Sequence, residues 1–143
     1  MSDELPRGDA ILAIQRELTA FARRARGRAA ELHPELSLVA ASILDLLIER
    51  DGCQASEVAE HFLLDKSTVS RQIAALEKLG YLTREVDPAN RRNLRLHPTA
   101  EGRRVAGAAE AARRAAFAVR FEDWPDGDLA RLAQYLTRYN ATP

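Results

Sequence analysis

Apolar positions recur along the chain at two periods, and the switch between them marks its organisation. From Asp9 to about Leu32, Ile11, Leu12, Leu18, Phe21 and Ala25 lie broadly on one side of a 3.6-residue repeat, with Arg16, Arg23 and Arg24 elsewhere. That pattern predicts a long amphipathic helix. His33-Pro34 ends it, because a residue before proline avoids the helical region. Ser37 to about Arg50 carries Val39, Ile43, Leu44, Leu46 and Leu47, so a centrally buried helix is expected, stopped at Asp51-Gly52. A short helix follows through Phe62, with Ser56 as its expected N-cap and Val58, Ala59 and Phe62 facing inward. Leu63-Leu64 links it to a helix that Asp65 caps, that runs to Leu79 and that Gly80 ends. The period then falls to two. Tyr81–Val86 and Asn93–His97 alternate partially, and Asp87-Pro88-Ala89-Asn90 between them is turn chemistry, so a β-hairpin is expected. Thr99 caps a long alanine-rich helix to about Phe121, broken by Trp124-Pro125-Asp126. A last helix starts at Asp126 or Asp128, with Leu129, Leu132, Ala133 and Leu136 at helical spacing.

The helix from Asp65 to Leu79 has two unlike faces. Val69, Ile73 and Leu76 cluster within roughly 60° on a helical wheel. The opposite side holds Ser67, Arg71, Ala74 and Lys78, flanked by Ser70, Thr68 and Ala75. Small residues permit close approach to a major groove, hydroxyls reach phosphates, and an arginine can bond guanine O6 and N7 together. With the preceding short helix and the Leu63-Leu64 link, this reads as a helix-turn-helix. The hairpin would hold Arg91 and Arg92 at its tip, where a narrow minor groove concentrates negative potential. Each part alone is commonplace on a solvated surface; their order along one segment carries the reading.

Charge sharpens it. The 143 residues include 21 basic and 21 acidic side chains, a formal net charge of zero. Yet Lys66–Arg104 holds nine basic residues against four acidic ones, a local excess of +5. A second basic cluster is Arg23, Arg24, Arg26 and Arg28. A polyanion responds to such local fields within a Debye length of about 8 Å.

The stretches "LDKSTVSRQIAALEKLGYLTR" and "DPANRRNLRLHPTAEG" resemble the winged helix-turn-helix of the MarR family of bacterial transcriptional regulators. The family's wing reads Asp-Pro-x-Asp-Arg-Arg before a Leu-x-Leu strand and a Thr-x-x-Gly helix start. Here these are Asp87-Pro88, Arg91-Arg92, Leu94-x-Leu96 and Thr99-x-x-Gly102, with Asn90 in place of the usual acid before the arginines. The flanking segment "DWPDGDLARLAQYLTRYN" fits the family's dimerisation helices, so the likeness covers nearly the whole chain. It implies a mainly α fold with a small β-hairpin wing. Over residues 1–143 it implies one MarR-like domain, with dimerisation helices at 9–33 and 99–140 and a DNA-binding lobe at 37–98. It also implies a homodimer on a pseudo-palindromic operator, acting as a ligand-responsive repressor, with double-stranded DNA as partner and a small-molecule effector of unidentified class. The candidate DNA-binding residues are Lys66, Ser67, Thr68, Ser70, Arg71, Gln72, Lys78, Asn90, Arg91 and Arg92. By resemblance Arg92 is the minor-groove arginine and Arg91 a phosphate contact.

The remaining chemistry is sparse. The single Cys53 has Asp51, Gln54 and Glu57 nearby and no adjacent cation, so a structural thiol is expected rather than a redox sensor. His33, His61 and His97 are far apart and lack cysteine-pair spacing, so no metal site is expected. No Gly-rich phosphate loop, Gly-x-Ser-x-Gly elbow or His-Glu-x-x-His motif occurs; no catalytic residue, cofactor or enzyme activity is expected. The polar, acidic Met1–Asp9 is unlike a signal peptide, and no apolar run approaches the roughly 20 residues that span a bilayer. A cytoplasmic, membrane-free protein is therefore expected. The alternative in another class is a winged-helix module for a protein or RNA partner. Its face would more often show aromatic anchors than the arginine, lysine and alanines found here.

Overall fold

The computed structural model describes residues 5–143; the acidic start at 1–4 lies outside them. Helix α1 spans Arg7–Leu32 and α2 Leu38–Glu49. A two-residue strand, β1 (Cys53–Gln54), leads into α3 (Ala55–Phe62) and α4 (Lys66–Lys78). Strands β2 (Leu82–Asp87) and β3 (Asn90–Pro98) form the hairpin, followed by α5 (Ala100–Arg120) and α6 (Asp126–Asn140). The winged helix-turn-helix expected from the sequence is thus the observed fold. The chain divides into two compact units with the boundary inside α5, between Ala106 and Gly107.

In the first unit, α2 is the hub. Its Ala40, Ile43, Leu44, Leu46 and Leu47 are buried with Leu36 and with Val58 of α3. Val69, Ile73 and Leu76 bring in one face of α4, and Leu82 and Leu96 bring in the sheet. Each fully buried aliphatic contributes roughly 1.5–3 kcal/mol, so α4 is pinned by the three residues its periodicity singled out. Ser37 caps α2 by accepting the Ala40 N–H at 3.0 Å.

The sheet has three strands in the order β1-β3-β2, all antiparallel. The extra strand corrects one expectation. Cys53 pairs with Leu96 and Gln54 with Arg95, so the chain stays extended through Gln54 and α3 begins at Ala55. Gln54 is therefore the N-cap, its N–H held by Glu57 Oε2 at 2.6 Å, and Ser56 lies inside the first turn. Two residues are too few to show alternation. Leu63 ends α3 in a left-handed conformation (φ +53°) with its side chain 91% exposed. Asp65 caps α4 as its position predicts.

The start of α5 presses against the hairpin. Thr99 Oγ1 donates to the Gly80 carbonyl at 2.6 Å and accepts the Gly102 N–H at 3.0 Å. A Cβ at Gly102 would lie 2.1 Å from the Tyr81 carbonyl oxygen. The Thr-x-x-Gly spacing thus combines a cap with the only side chain small enough for that approach.

Helix α1 buries no residue fully. Leu18 and Ala25 of its expected apolar face are half-buried, while Ile11, Leu12 and Phe21 are exposed, as is Ile14. In the second unit, Phe121 stacks on Phe117 at 5.9 Å and meets Trp124 edge-on at 5.2 Å. Along α6, Leu129 and Leu132 are half-buried, while Tyr135, Leu136 and Tyr139 are exposed. No helix among the described residues is long and apolar enough to cross a membrane.

Candidate nucleic-acid interface

The exposed side of α4 is organised by its cap. Asp65 Oδ1 accepts the Thr68 N–H at 2.6 Å and the Ser67 hydroxyl at 2.7 Å, and Oδ2 accepts the Thr68 hydroxyl at 3.0 Å. The Thr68 backbone bond first, then the two hydroxyls, hold the carboxyl down at about 2. Arg71 Nη2 reaches back to Thr68 Oγ1 at 3.3 Å, which aims the guanidinium along the helix start. Ser67 and Thr68 thus spend their hydroxyl hydrogens on the cap. The Ser70 hydroxyl, by contrast, makes no hydrogen bond among the described residues and stays exposed. Lys66, on the first turn, and Lys78, on the last, are exposed as well. Gln72 sits apart from this group: it is half-buried, and its Oε1 accepts the Ser37 hydroxyl at 2.8 Å. That bond ties α4 to the start of α2.

The wing places its arginines differently from the expectation of a tip. The turn is Pro88-Ala89, closed by the pair Asp87↔Asn90; the next paired residues are Val86↔Leu94. Arg91, Arg92 and Asn93 therefore form an irregularity on β3 with no opposite residues on β2. A bulge of this kind leaves residues unpaired and turns them out of the ladder. Strand β3 begins at Asn90, three residues before the expected Asn93, because one pair forms beyond the bulge and periodicity is blind to it. Asn90 Oδ1 accepts the Arg92 N–H at 3.1 Å, and Asp87 Oδ1 accepts the Ala89 N–H at 2.9 Å. A neutral amide thus does the local backbone work at Asn90. Both arginine side chains are exposed.

The charges of the lobe are sorted. Arg84 pairs with Glu77 at 3.0 Å, Arg103 with Asp51 at 2.7 Å, and Arg104 with Glu101. Arg95 donates to the Gly52 carbonyl at 3.0 Å. Among the described residues Lys66, Arg71, Lys78, Arg91 and Arg92 form no ion pair, although the Asp65 charge lies near Arg71. Arg50, beside His61, and Arg95, on the Gly52 carbonyl, also lack an acid, but the cations without an ion pair are concentrated on α4 and the wing. The sequence shows the excess of +5 but not which cations are neutralised: Arg104–Glu101 is a local i,i+3 pair, but Arg84–Glu77 joins strand to helix and Arg103–Asp51 spans 52 positions.

Cys53 is buried in β1, and burial, then Glu57, push its thiol up. His33 lies 3.8 Å from Glu35, His97 3.5 Å from Glu85, and His61 3.3 Å from Arg50. No cluster of three or more histidine, cysteine or acidic side chains suited to a metal occurs among the described residues.

A helix-turn-helix whose second helix and adjoining wing both carry unpaired cations defines a winged-helix protein of the DNA-binding class. Residues 35–93 match the MarR family. The HTH-type transcriptional regulator YxaD of Bacillus subtilis (strain 168) is 30% identical over 129 residues, 89% of this chain and 90% of that protein. The chain belongs to the MarR family, and it is a transcriptional regulator, not an enzyme. Among solved structures, CouR from Rhodococcus jostii RHA1 bound to p-coumaroyl-CoA is 28% identical with a TM-score of 0.74, over 91% of this chain and 93% of that one. A MarR-family transcriptional regulator from Rhodococcus sp. RHA1 is 25% identical with a TM-score of 0.75, over 98% of this chain and 100% of that one.

Proposed function

We propose that the chain acts in the cytoplasm as a homodimeric repressor of a pseudo-palindromic operator, released by a small-molecule effector. The observation that carries this reading is the charge sorting. Arg84, Arg103 and Arg104 are each ion-paired, whereas Lys66, Arg71 and Lys78 on α4 and Arg91 and Arg92 on the wing form a concentration of cations with no ion pair among the described residues. Helix α4 enters the major groove, with Arg71 on base edges and Lys66, Ser70 and Lys78 on backbone or base. Ser67 and Thr68 fix the Asp65 cap at the helix start that faces the backbone, and Arg92 enters the neighbouring minor groove with Arg91 on phosphate. Asn90 and Gln72 hold these readers in place, through the Arg92 N–H and through Ser37.

Dimerisation is supported by the apolar residues that α1 and α6 leave exposed. Residues 9–33 and 99–140 supply the two-fold interface, 37–98 the DNA-binding lobe, and 1–143 work as one functional domain. The p-coumaroyl-CoA held by CouR supports an organic effector without naming this protein's own.

The test is a titration of the purified protein against the DNA upstream of its own gene and against a shuffled duplex of equal composition. Retention of the upstream fragment at protein concentrations that leave the shuffled duplex free is the expected result. Equal retention of both duplexes would overturn the reading.

A further inference from the structure

Strands β2 and β3 present alternate residues to opposite faces. One face carries the partners Leu82↔Pro98, Arg84↔Leu96 and Val86↔Leu94. Its inner end belongs to the core: Leu82 and Leu96 are buried, and Arg84 is held by Glu77 of α4. Its outer end is bare. Val86 is 54% exposed and Leu94 44%, although they are direct cross-strand neighbours and form one apolar step. That step adjoins the bulge with Arg91 and Arg92, so it lies at the root of the two unpaired arginines of the wing. An occupant of this end of the wing must be anionic enough to meet the arginines of the adjoining bulge and apolar enough to cover two aliphatic side chains. A duplex minor groove offers both together: phosphates at its rims and deoxyribose carbons along its walls.

We infer that Val86 and Leu94 are a DNA contact, packing on the deoxyribose wall of the minor groove that receives the wing. The inference rests on the operator-binding reading above and adds to it a contact that releases no counterions. An apolar contact contributes affinity without contributing to the salt slope, which counts neutralised phosphates.

The experiment titrates the upstream duplex with wild type, Leu94→Ser and Val86→Thr at several salt concentrations, alongside thermal unfolding and sedimentation of each protein. Val86→Thr keeps β-branching and shape, so the strand persists. Each variant weakens binding by roughly three- to tenfold, with the salt slope of the wild type and an unchanged oligomeric state. Wild-type affinity in both variants would overturn the inference while leaving operator binding intact. A reduced salt slope would overturn it by showing that the arginines had moved. A change of oligomeric state would assign the step to a second copy of the chain instead. Failure of the wild type itself to prefer the upstream duplex would instead remove the reading on which the inference rests.

Discussion

A methyl group added at Gly102 would sit inside the van der Waals envelope of the Tyr81 carbonyl. The neighbour is backbone and cannot rotate away, so Gly102→Ala costs about 1–3 kcal/mol, the range for overpacking a fixed site. Thermal unfolding reads this directly; an unchanged midpoint would mean that α5 does not approach Tyr81 as described. Asp65 gives the second prediction at this scale. Its carboxyl is held at about 2, against 3.8 ordinarily, by the Thr68 and Ser67 hydrogen bonds. A depressed folded value contributes stability that is fully present above the unfolded value and is lost as pH falls through the folded one. Wild type should therefore lose stability relative to Asp65→Asn between pH 3.8 and about 2, and the two proteins should differ by a constant amount near neutrality. A gap that stays constant through the acid range would show that the cap is not ionic. Cys53 is the third. Buried and with its thiol pushed up, it holds little reactive thiolate. Peroxide should leave DNA binding unchanged, and release of the protein from DNA by peroxide would contradict a structural thiol.

The two elements that carry the function should be separable. Arg71→Ala should cost roughly 1–3 kcal/mol of operator affinity and flatten preference at one base pair in each half-site. Arg92→Ala should weaken binding at the operator's outer flanks and lower the salt slope by about one per protomer, leaving the central preferences intact. Titrating both variants against operators mutated at the centre or the flanks distinguishes these outcomes. Loss of central discrimination in the wing variant would reverse the assignment of element to groove. Much of this scale was legible in the chain itself. The Val69, Ile73 and Leu76 stripe located α4 and its buried face, and Asp65 and Gly80 located its ends. What escaped has identifiable causes. Strand β1 is two residues long, and its pairing with β3 spans about forty positions. The bulge at Arg91–Asn93 breaks the period on which strand recognition relies. The hydroxyls of Ser67 and Thr68 read as free groups, whereas the fold commits both to Asp65.

At the scale of the whole molecule, what matters is the apolar surface that α1 and α6 leave uncovered. Ile11 and Ile14 are each 55% exposed, and Leu136, Tyr135 and Tyr139 extend a second exposed row. The sequence stripes announced both helices, but no stripe says whether its partner lies in the same chain or in another. On the present account the partner is a second copy. Two recognition helices then meet successive major grooves about 34 Å apart, on an inverted repeat of roughly 16–20 base pairs. Sedimentation of the protein, alone and with labelled upstream duplex, tests this most directly. The account predicts a dimer at micromolar concentration and a saturated complex of two chains on one inverted repeat. A monomer that saturates the duplex with one chain per site, or an open-ended series of complexes on any sequence, would contradict it.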